Sequence, residues 1–525
     1  MKNKDISEDL ILSIDCGTQS IRAILFSVDG DIVDKEQIFY EAYYSKKPGW
    51  AEQKADTYWE GLCKATTTLN KRNLNNFKKI KGVGVTTLRS TMVNVDVDGN
   101  TLRPSMLWLD QRKAENIFKP SFAMNIIFKA IGIDSTLKRM EGKGHCNWIR
   151  QNQPEIWNKT HKYIQVSGYL NYKLSGAFFD SVASQIGHIP FNYKKQRWAK
   201  PKDFLEFSQK LYPVESEKLS KLIIPGDKIG EITEEASELT LLPIGIPIIA
   251  CGSDKGCETL GMGVTDTSMA SLSFGTTATV QTTTSKYVEP IKFFPAYPSV
   301  MPKHWNPEIE IFRGFWMVNW FKNEFALKEV LEAEKLGVVV EEVLNELLHK
   351  SPPGAMGLIV QPYWTPGLGE KNAKGAIIGF GDVHKKEHVY RAVIEGLAYG
   401  LLDGMHRLEK QGGFKFKKIA VSGGASQSDE ICQITADVFN MELVRGKTHE
   451  TSGLGAAIIT AYGIGLYDSL EKATENMVSY ADVFRPNPEH AKLYKQLYED
   501  VYLEIFKKLE PLYKRIREIT SYPKC

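Results

Sequence analysis

The sequence predicts an α/β protein built as two large domains of related design, each a mixed sheet flanked by helices. Three observations carry that expectation. The chain has 525 residues, too many for one hydrophobic core. A glycine–threonine turn between two β-prone runs occurs twice, and Gly17 and Gly275 stand 258 positions apart, about half the chain. Around both turns, strand and helix signals alternate in the manner of a layered α/β architecture.

The elements follow in order. Leu10 to Asp15 is an apolar run ending in an acid; Gly17 and Thr18 turn it, Ile21 to Phe26 returns, Asp29-Gly30 turns again, and Ile32 to Phe39 follows. This pattern is strand, turn, strand, turn, strand. A P-loop or dinucleotide-binding unit would place a helix after the first glycine turn, whereas here a β-branched strand follows. Ile80 to Thr86 and Thr91 to Val97 are further strands, and Trp148 to Trp157 and Gly168 to Leu174 are helical stretches. Pro247 to Ala250 is a short strand. Met269 to Phe274, the turn Gly275-Thr276-Thr277, and Ala278 to Thr284 repeat the opening design. From His388 to Glu409 the apolar residues Val389, Val393, Leu397, Leu401 and Met405 fall every fourth position, a helix. Lys418 to Ser422 is a strand, Asp429 to Asn440 and Leu454 to Tyr462 are helices, and Pro488 to Lys514 is one amphipathic helix. The division falls near Gly261 to Asp266, giving domains 1–262 and 263–525.

Composition removes several classes. The formal net charge is +3, which leaves no nucleic-acid footprint, and Lys415, Lys417 and Lys418 are a solvated surface run. The seven cysteines are odd in number, scattered, and form no C-x-x-C. Reduced thiols in a cytoplasmic protein are the simpler reading. No apolar run reaches the length of a membrane span or a signal core.

The chemistry is concentrated at the turns. Glycine lets backbone N–H groups approach an anion, and threonine hydroxyls add donors. Gly17, Thr18 and Gln19 form one such turn; Gly275 and Thr276 form the other. Asp15 ends a buried strand beside the first. An acid there is costly unless hydrogen-bonded or close to a cation, so Asp15 either supports the turn or associates with Mg²⁺. Asp254 sits at the glycine-rich junction Cys251 to Gly256, between strand and helix, where it either caps the helix or accepts a proton from an attacking hydroxyl. Lys255, next along, either reaches a substrate or pairs with Glu258 three residues on. Ser422-Gly423-Gly424-Ala425-Ser426 joins a strand to a helix as a tight turn or a platform for a flat ligand.

Taken together, these segments resemble the FGGY family of carbohydrate kinases, on the actin-like (ribonuclease H-like) ATPase fold, over roughly residues 10 to 485. The pieces that carry the resemblance are Asp15 to Ser20, Pro48 to Gln53, Tyr169 to Gly176, Ser273 to Thr277, Arg391 to Gly396 and Ser422 to Asp437. The resemblance implies ATP and Mg²⁺ in a cleft between the domains. It makes Asp15 the metal-associated acid, and Gly17, Thr18, Gln19, Gly275 and Thr276 the phosphate turns. Gly423, Gly424 and Ser428 fall at the adenosine, and Asp254 is the base. Arg89 and Trp108 line the sugar site, and Lys255 borders it. The sequence departs from the two best-known specificities. Glycerol kinases carry an acid after the arginine matched by Arg89, where Ser90 stands here, and a glutamine where Lys255 stands. The Met-His pair of xylulose kinases is missing from Thr87 to Ser90. Ser428 replaces an asparagine often seen near the adenine.

The expected activity is ATP-dependent phosphorylation of a hydroxyl on a small sugar or polyol. A sugar acid is the runner-up substrate, and a possible homodimer is the one protein partner considered. Two rival classes are a non-catalytic sugar sensor on the same scaffold and an ATPase whose partner is a protein.

Overall fold

A computed structural model describes residues 8–120, 122–130, 133–200, 207–365 and 372–522. The chain forms two units. Unit 1 comprises 1–261, 297–305 and 450–478; unit 2 comprises 262–296, 306–449 and 479–525.

Unit 1 is organised on a six-stranded sheet. Its strands are β1 (Leu10–Cys16), β2 (Ser20–Ser27), β3 (Ile32–Phe39), β4 (Ile80–Thr87), β5 (Lys228–Glu231) and β6 (Pro247–Ile249), in the order β5-β6-β4-β1-β2-β3. β1 pairs antiparallel with β2 and parallel with β4, and β4 pairs parallel with β6. β1 is buried along its whole length, which is why it reads as a continuous apolar run rather than an alternation.

Unit 2 carries the same plan on a sheet of β7 (Met269–Phe274), β8 (Ala278–Gln281), β9 (Glu308–Ile311), β10 (Lys418–Ser422), β11 (Leu443–Gly446) and β12 (Tyr480–Phe484). The order is β9-β8-β7-β10-β11-β12. β7 is antiparallel to β8 and parallel to β10, β10 is parallel to β11, and β11 is antiparallel to β12. Strand for strand the two sheets match, so the paired glycine–threonine turns occupy corresponding places. This is the pair of related domains that the repeat implied, and it agrees with the actin-like design that the family resemblance implied.

Helices cover the sheets. In unit 1, α1 (His145–Asn152) and α2 (Pro154–Lys159) stand where the sequence suggested one helix through Trp157. The break is at Gln153, φ −140° and ψ 54°, because the ring of Pro154 disfavours helical geometry in the residue before it. α3 (Val166–Ser175) ends on Gly176 in the left-handed region, φ 72°. α4 (Asp254–Gly261) and α7 (Thr451–Gly463) cross at closest approach. A Cβ on Gly455 would lie 1.8 Å from the Cys257 carbonyl oxygen, and one on Gly261 2.0 Å from that of Thr451.

In unit 2, α5 (Lys386–Gly412) is the central helix and α6 (Asp429–Phe439) packs beside it. The Arg391–Gly396 segment on α5 is buried structure. Arg391 donates to Glu395 at 2.8 Å, to the carbonyls of Leu348 and Ser351 at 2.9 Å, and to the Tyr494 hydroxyl at 3.0 Å. The C-terminal stretch is helical as expected but not uniform. α8 (Pro488–Gln496) and α9 (Leu503–Thr520) are joined by a π-helical turn over Leu497–Tyr502. There Tyr498 and Tyr502 stack on Tyr399 of α5, ring centroids 6.1 and 5.2 Å apart.

Among the described residues no helix is long and apolar enough to cross a membrane, and the six cysteines are free thiols; Cys525 lies outside the described residues.

Candidate active site

In unit 1 the three parallel strands β1, β4 and β6 end side by side, and each delivers one charged residue at or beyond its carboxyl end. Ligands of α/β sheets gather at such edges. Asp15 is the penultimate residue of β1 and pairs across the sheet with Thr86 of β4. Arg89 follows β4 by two residues. Asp254 follows β6 and opens α4, and it is brought alongside β4 by the Thr87–Ser253 bridge and by Thr86 Oγ1 donating to the Gly252 carbonyl at 3.0 Å.

Asp15 is 8% exposed. Burial raises its pKa to about 7, against the opposing pull of Arg22 and with support from Asp254, Glu450 and Glu258. Arg22 reaches its Oδ2 only at 3.4 Å and also lies 3.4 Å from Glu450, which Lys35 meets at 2.9 Å. Several carboxylates therefore bear on one another here, with Arg22 only loosely held between Asp15 and Glu450. Asp254 is raised as well, first by burial, with Arg89 and Lys255 opposing. A third of its side chain stays exposed, 32%, and Arg89 Nε stands 3.9 Å from its Oδ1. That exposure leaves the carboxylate reachable by a solute. Helix capping at this junction is done by the neighbour, Ser253 Oγ accepting from Gly256 N at 3.3 Å. Lys255 pairs with Glu258 at 2.6 Å, the alternative that the i,i+3 spacing offered.

The first turn is short. Gly17 N donates to the Ser20 carbonyl at 2.9 Å, and the Tyr40 hydroxyl donates to the Gly17 carbonyl at 2.7 Å. Gln19 is exposed, and Trp108 Nε1 donates to Thr18 Oγ1 at 3.3 Å, with Trp108 itself 54% exposed. The indole thus joins the turn to the wall it shares with Ser90, the neighbour of Arg89, whose guanidinium lies over Tyr297 at 5.5 Å from the ring centroid.

In unit 2 the corresponding strands β7 and β10 carry the glycines. Gly275 accepts from Phe315 N at 3.0 Å, Thr277 Oγ1 donates to the Phe312 carbonyl at 3.2 Å, and Thr276 is left exposed. Gly423 has φ 89°, and a Cβ there would sit 2.8 Å from the Phe274 carbonyl carbon. Only glycine allows the two turns to touch. A Cβ on Gly424 would meet nothing within 4 Å, so this backbone is open above. Ser428 caps α6, accepting from Ile431 N at 3.2 Å, while its hydroxyl stands 2.9 Å from Asn345 Oδ1.

Sequence reasoning missed the residues that hold these parts. Arg445 pins the glycine loop by donating to the Ser426 carbonyl at 2.9 Å while paired with Asp482 at 2.6 Å. Glu450, Arg22, Lys143, His145 and His188 were also passed over. A cavity of about 90 Å³ opens beside Ser90 and Trp108, with Lys143, His145 and His188 in its wall. Lys143 and His145 come from one stretch and the others from separate ones, and the one local hint is the unusual Gly142-Lys143-Gly144-His145 run.

The chain belongs to the FGGY family of carbohydrate kinases: the model of the family's N-terminal domain matches residues 10–261 and that of its C-terminal domain residues 270–464. It is therefore an ATP-dependent carbohydrate kinase. Among curated proteins it is 27% identical to a xylulose kinase of Lactococcus lactis, over 97% of this chain and 99% of that protein. It is 26% identical to a gluconokinase of Bacillus subtilis, over 97% and 98%. Among solved structures, a xylulose kinase from Lactobacillus acidophilus superposes with a TM-score of 0.81 at 22% identity, covering 97% of this chain and 99% of that one. At that identity the likeness speaks for the fold.

Proposed function

We propose that the enzyme transfers the γ-phosphoryl group of ATP to one hydroxyl of a small polyhydroxy compound held in unit 1, with Asp254 as the base. One observation supports this above the others: Asp254 and Arg89 meet at the ends of adjacent parallel strands, a one-third-exposed carboxylate with an upward-shifted pKa beside a guanidinium. Asp254 orients the acceptor hydroxyl and takes its proton as the new O–P bond forms and the bond to the bridging oxygen of ADP breaks. Arg89 and Trp108 hold the acceptor. Lys255, tied to Glu258, tunes Asp254 and borders the site. Gly17, Thr18 and Gln19 offer N–H and hydroxyl donors to phosphate. In unit 2, Gly275 and Thr276 do the same, and Gly423 and Gly424 give the nucleoside a flat approach. Ser428 supports that loop as a cap.

The crowded carboxylates around Asp15 suit a divalent cation. Among the described residues no cluster of three or more His, Cys, Asp or Glu is placed to cage a metal. Asp15 would hold Mg²⁺ through water. When bound, Mg²⁺ would neutralise phosphate charge. The xylulose kinases and gluconokinases among the relatives support an acceptor drawn from the ketoses or the sugar acids.

The test is ADP release by the purified enzyme against a panel of ketoses, polyols, aldoses and aldonates. Acceptor-dependent release at any compound supports the proposal. ATP hydrolysis indifferent to every acceptor sinks it.

A further inference from the structure

Resting on that reading, we infer that the cavity walled by Lys143, His145 and His188 binds the carboxylate of the acceptor, and that the acceptor is a sugar acid of the aldonate type. The cavity holds about 90 Å³, room for roughly half a dozen water-sized groups. Ser90 and Trp108 belong to its wall. Ser90 is the neighbour of Arg89, so the cavity and the proposed base share one side.

The balance of charge is what favours an anion. Lys143 is a cation whose strongest charged neighbours are two more cations, Arg139 and Lys113. The acids nearby are already committed. Asp110, which itself lines the cavity, is neutralised by Arg112, accepting from its Nη2 at 2.7 Å, and also accepts from Ala51 N at 2.7 Å. Glu52 is shared by Arg103 at 2.8 Å and Arg112 at 2.9 Å. Glu141 accepts from the backbone of Ile117 and Phe118 at 2.7 and 2.6 Å. Burial lowers His145 to about 4, against the pull of Asp110 and with Arg112 and Arg103 assisting, and burial lowers His188 to about 3. Both rings are neutral at pH 7, each with an N–H to donate. The same stretch opens α1, whose first turn has no side-chain cap, and the partial positive charge of a helix N-terminus adds to that of Lys143. A lysine set among cations costs free energy until a counter-charge arrives, and a carboxylate supplies both the charge and acceptors for the two imidazoles.

The wall is also rigid. Gly187 has φ 138° and abuts Ser90, where a Cβ would come within 2.9 Å of Ser90 Oγ. Ser90 N donates to the Ile186 carbonyl at 3.2 Å, and Gln165 Nε2 donates to the same oxygen at 2.9 Å. Arg112 is stacked between Trp50 and Trp148, 4.1 and 4.7 Å from the ring centroids. Trp50 of the Pro48–Gln53 motif thus backs the cavity wall at Asp110 by way of Arg112.

Binding of five- and six-carbon aldonates, and of the matching alditols, is measured without nucleotide by the fluorescence of the full-length enzyme. Trp108 reports from the cavity wall. At least one aldonate is expected to bind about ten-fold or more tightly than its alditol. Lys143→Met should weaken aldonate binding by about ten- to hundred-fold, the loss of a charged hydrogen bond, and leave alditol binding unchanged. Equal binding of acids and alditols, or aldonate binding indifferent to Lys143→Met, overturns the inference. Turnover run in parallel separates the two claims. Phosphorylation of neutral acceptors alone sinks the carboxylate site and leaves the kinase reading standing. Lysine-dependent aldonate binding with no turnover of any compound sinks the kinase reading and leaves the site.

Discussion

At the scale of single residues, the decisive quantity is the protonation of Asp254. Burial lifts its pKa, while Arg89 and Lys255 pull it down and Glu258 pushes it up. A base must be ionised, so kcat/KM should fall on the acid side with a midpoint above the ~3.9 of an ordinary aspartate. Lys255→Gln should move that midpoint to higher pH, and Glu258→Gln to lower pH; a limb that stays put in both variants removes Asp254 from the base role. Asp254→Asn should cost about 10²–10⁴-fold in kcat, with KM for the acceptor little changed. His188 offers a test of stability. Its imidazole is depressed to about 3, so the folded chain binds fewer protons than the unfolded chain below the ordinary value of ~6.5. The contribution is present above pH ~6.5 and is lost as the pH falls toward 3. His188→Gln should therefore flatten the decline in Tm between pH 6.5 and 4; an unchanged slope would show that the ring is not buried neutral. Asp15 was legible in the sequence because it breaks an apolar run with a charge, and Asp254 because it sits on a glycine-rich strand-to-helix junction; Arg89 was legible only through the family resemblance. Lys143, His145 and His188 were not, because nothing in a linear pattern reveals that residues 90, 108, 143 and 188 converge.

At the scale of elements, the placement of Asp254 depends on α4, and that of α4 on α7. The two helices touch through glycine backbone at Gly261 and Gly455. Gly455→Ala puts a methyl group 1.8 Å from a carbonyl oxygen, which forces the helices apart at a cost of about 1–3 kcal/mol. Tm should drop, and kcat should drop with it because α4 begins at Asp254. Gly424→Ala is the contrast: its methyl group meets nothing within 4 Å. Tm should hold while the KM for ATP rises, and an unchanged KM would place the nucleoside elsewhere. The strands and both turns were readable from periodicity and glycine punctuation. The helix break at Gln153 was also on the page, in Pro154, but the apolar pattern running through it masked the signal. The Arg391–Gly396 motif stood out in the sequence without revealing that it serves packing, since buried ion pairs and catalytic ones use the same residue types.

At the scale of the whole molecule, the chain enters unit 1 three times, at 1–261, 297–305 and 450–478. We keep 262/263 as the proposed seam of the internal repeat, yet residues beyond it complete the first unit. α7 belongs to the core that includes Ile11, Ile24 and Phe26 of β1 and β2. A chain ending at His449 should therefore fail to fold unit 1: it should lose cooperative thermal unfolding and bind a hydrophobic dye, and a sharp native-like transition would refute this. The same connectivity sets a timetable during synthesis. The ribosome releases residue 261 long before residue 450, and at typical elongation rates the gap is roughly 10–40 s. For that interval β1 and β2 wait without the helix that seals them. A nascent chain of this kind is a natural client for chaperones, and codon changes between 262 and 449 would alter its yield without altering its sequence.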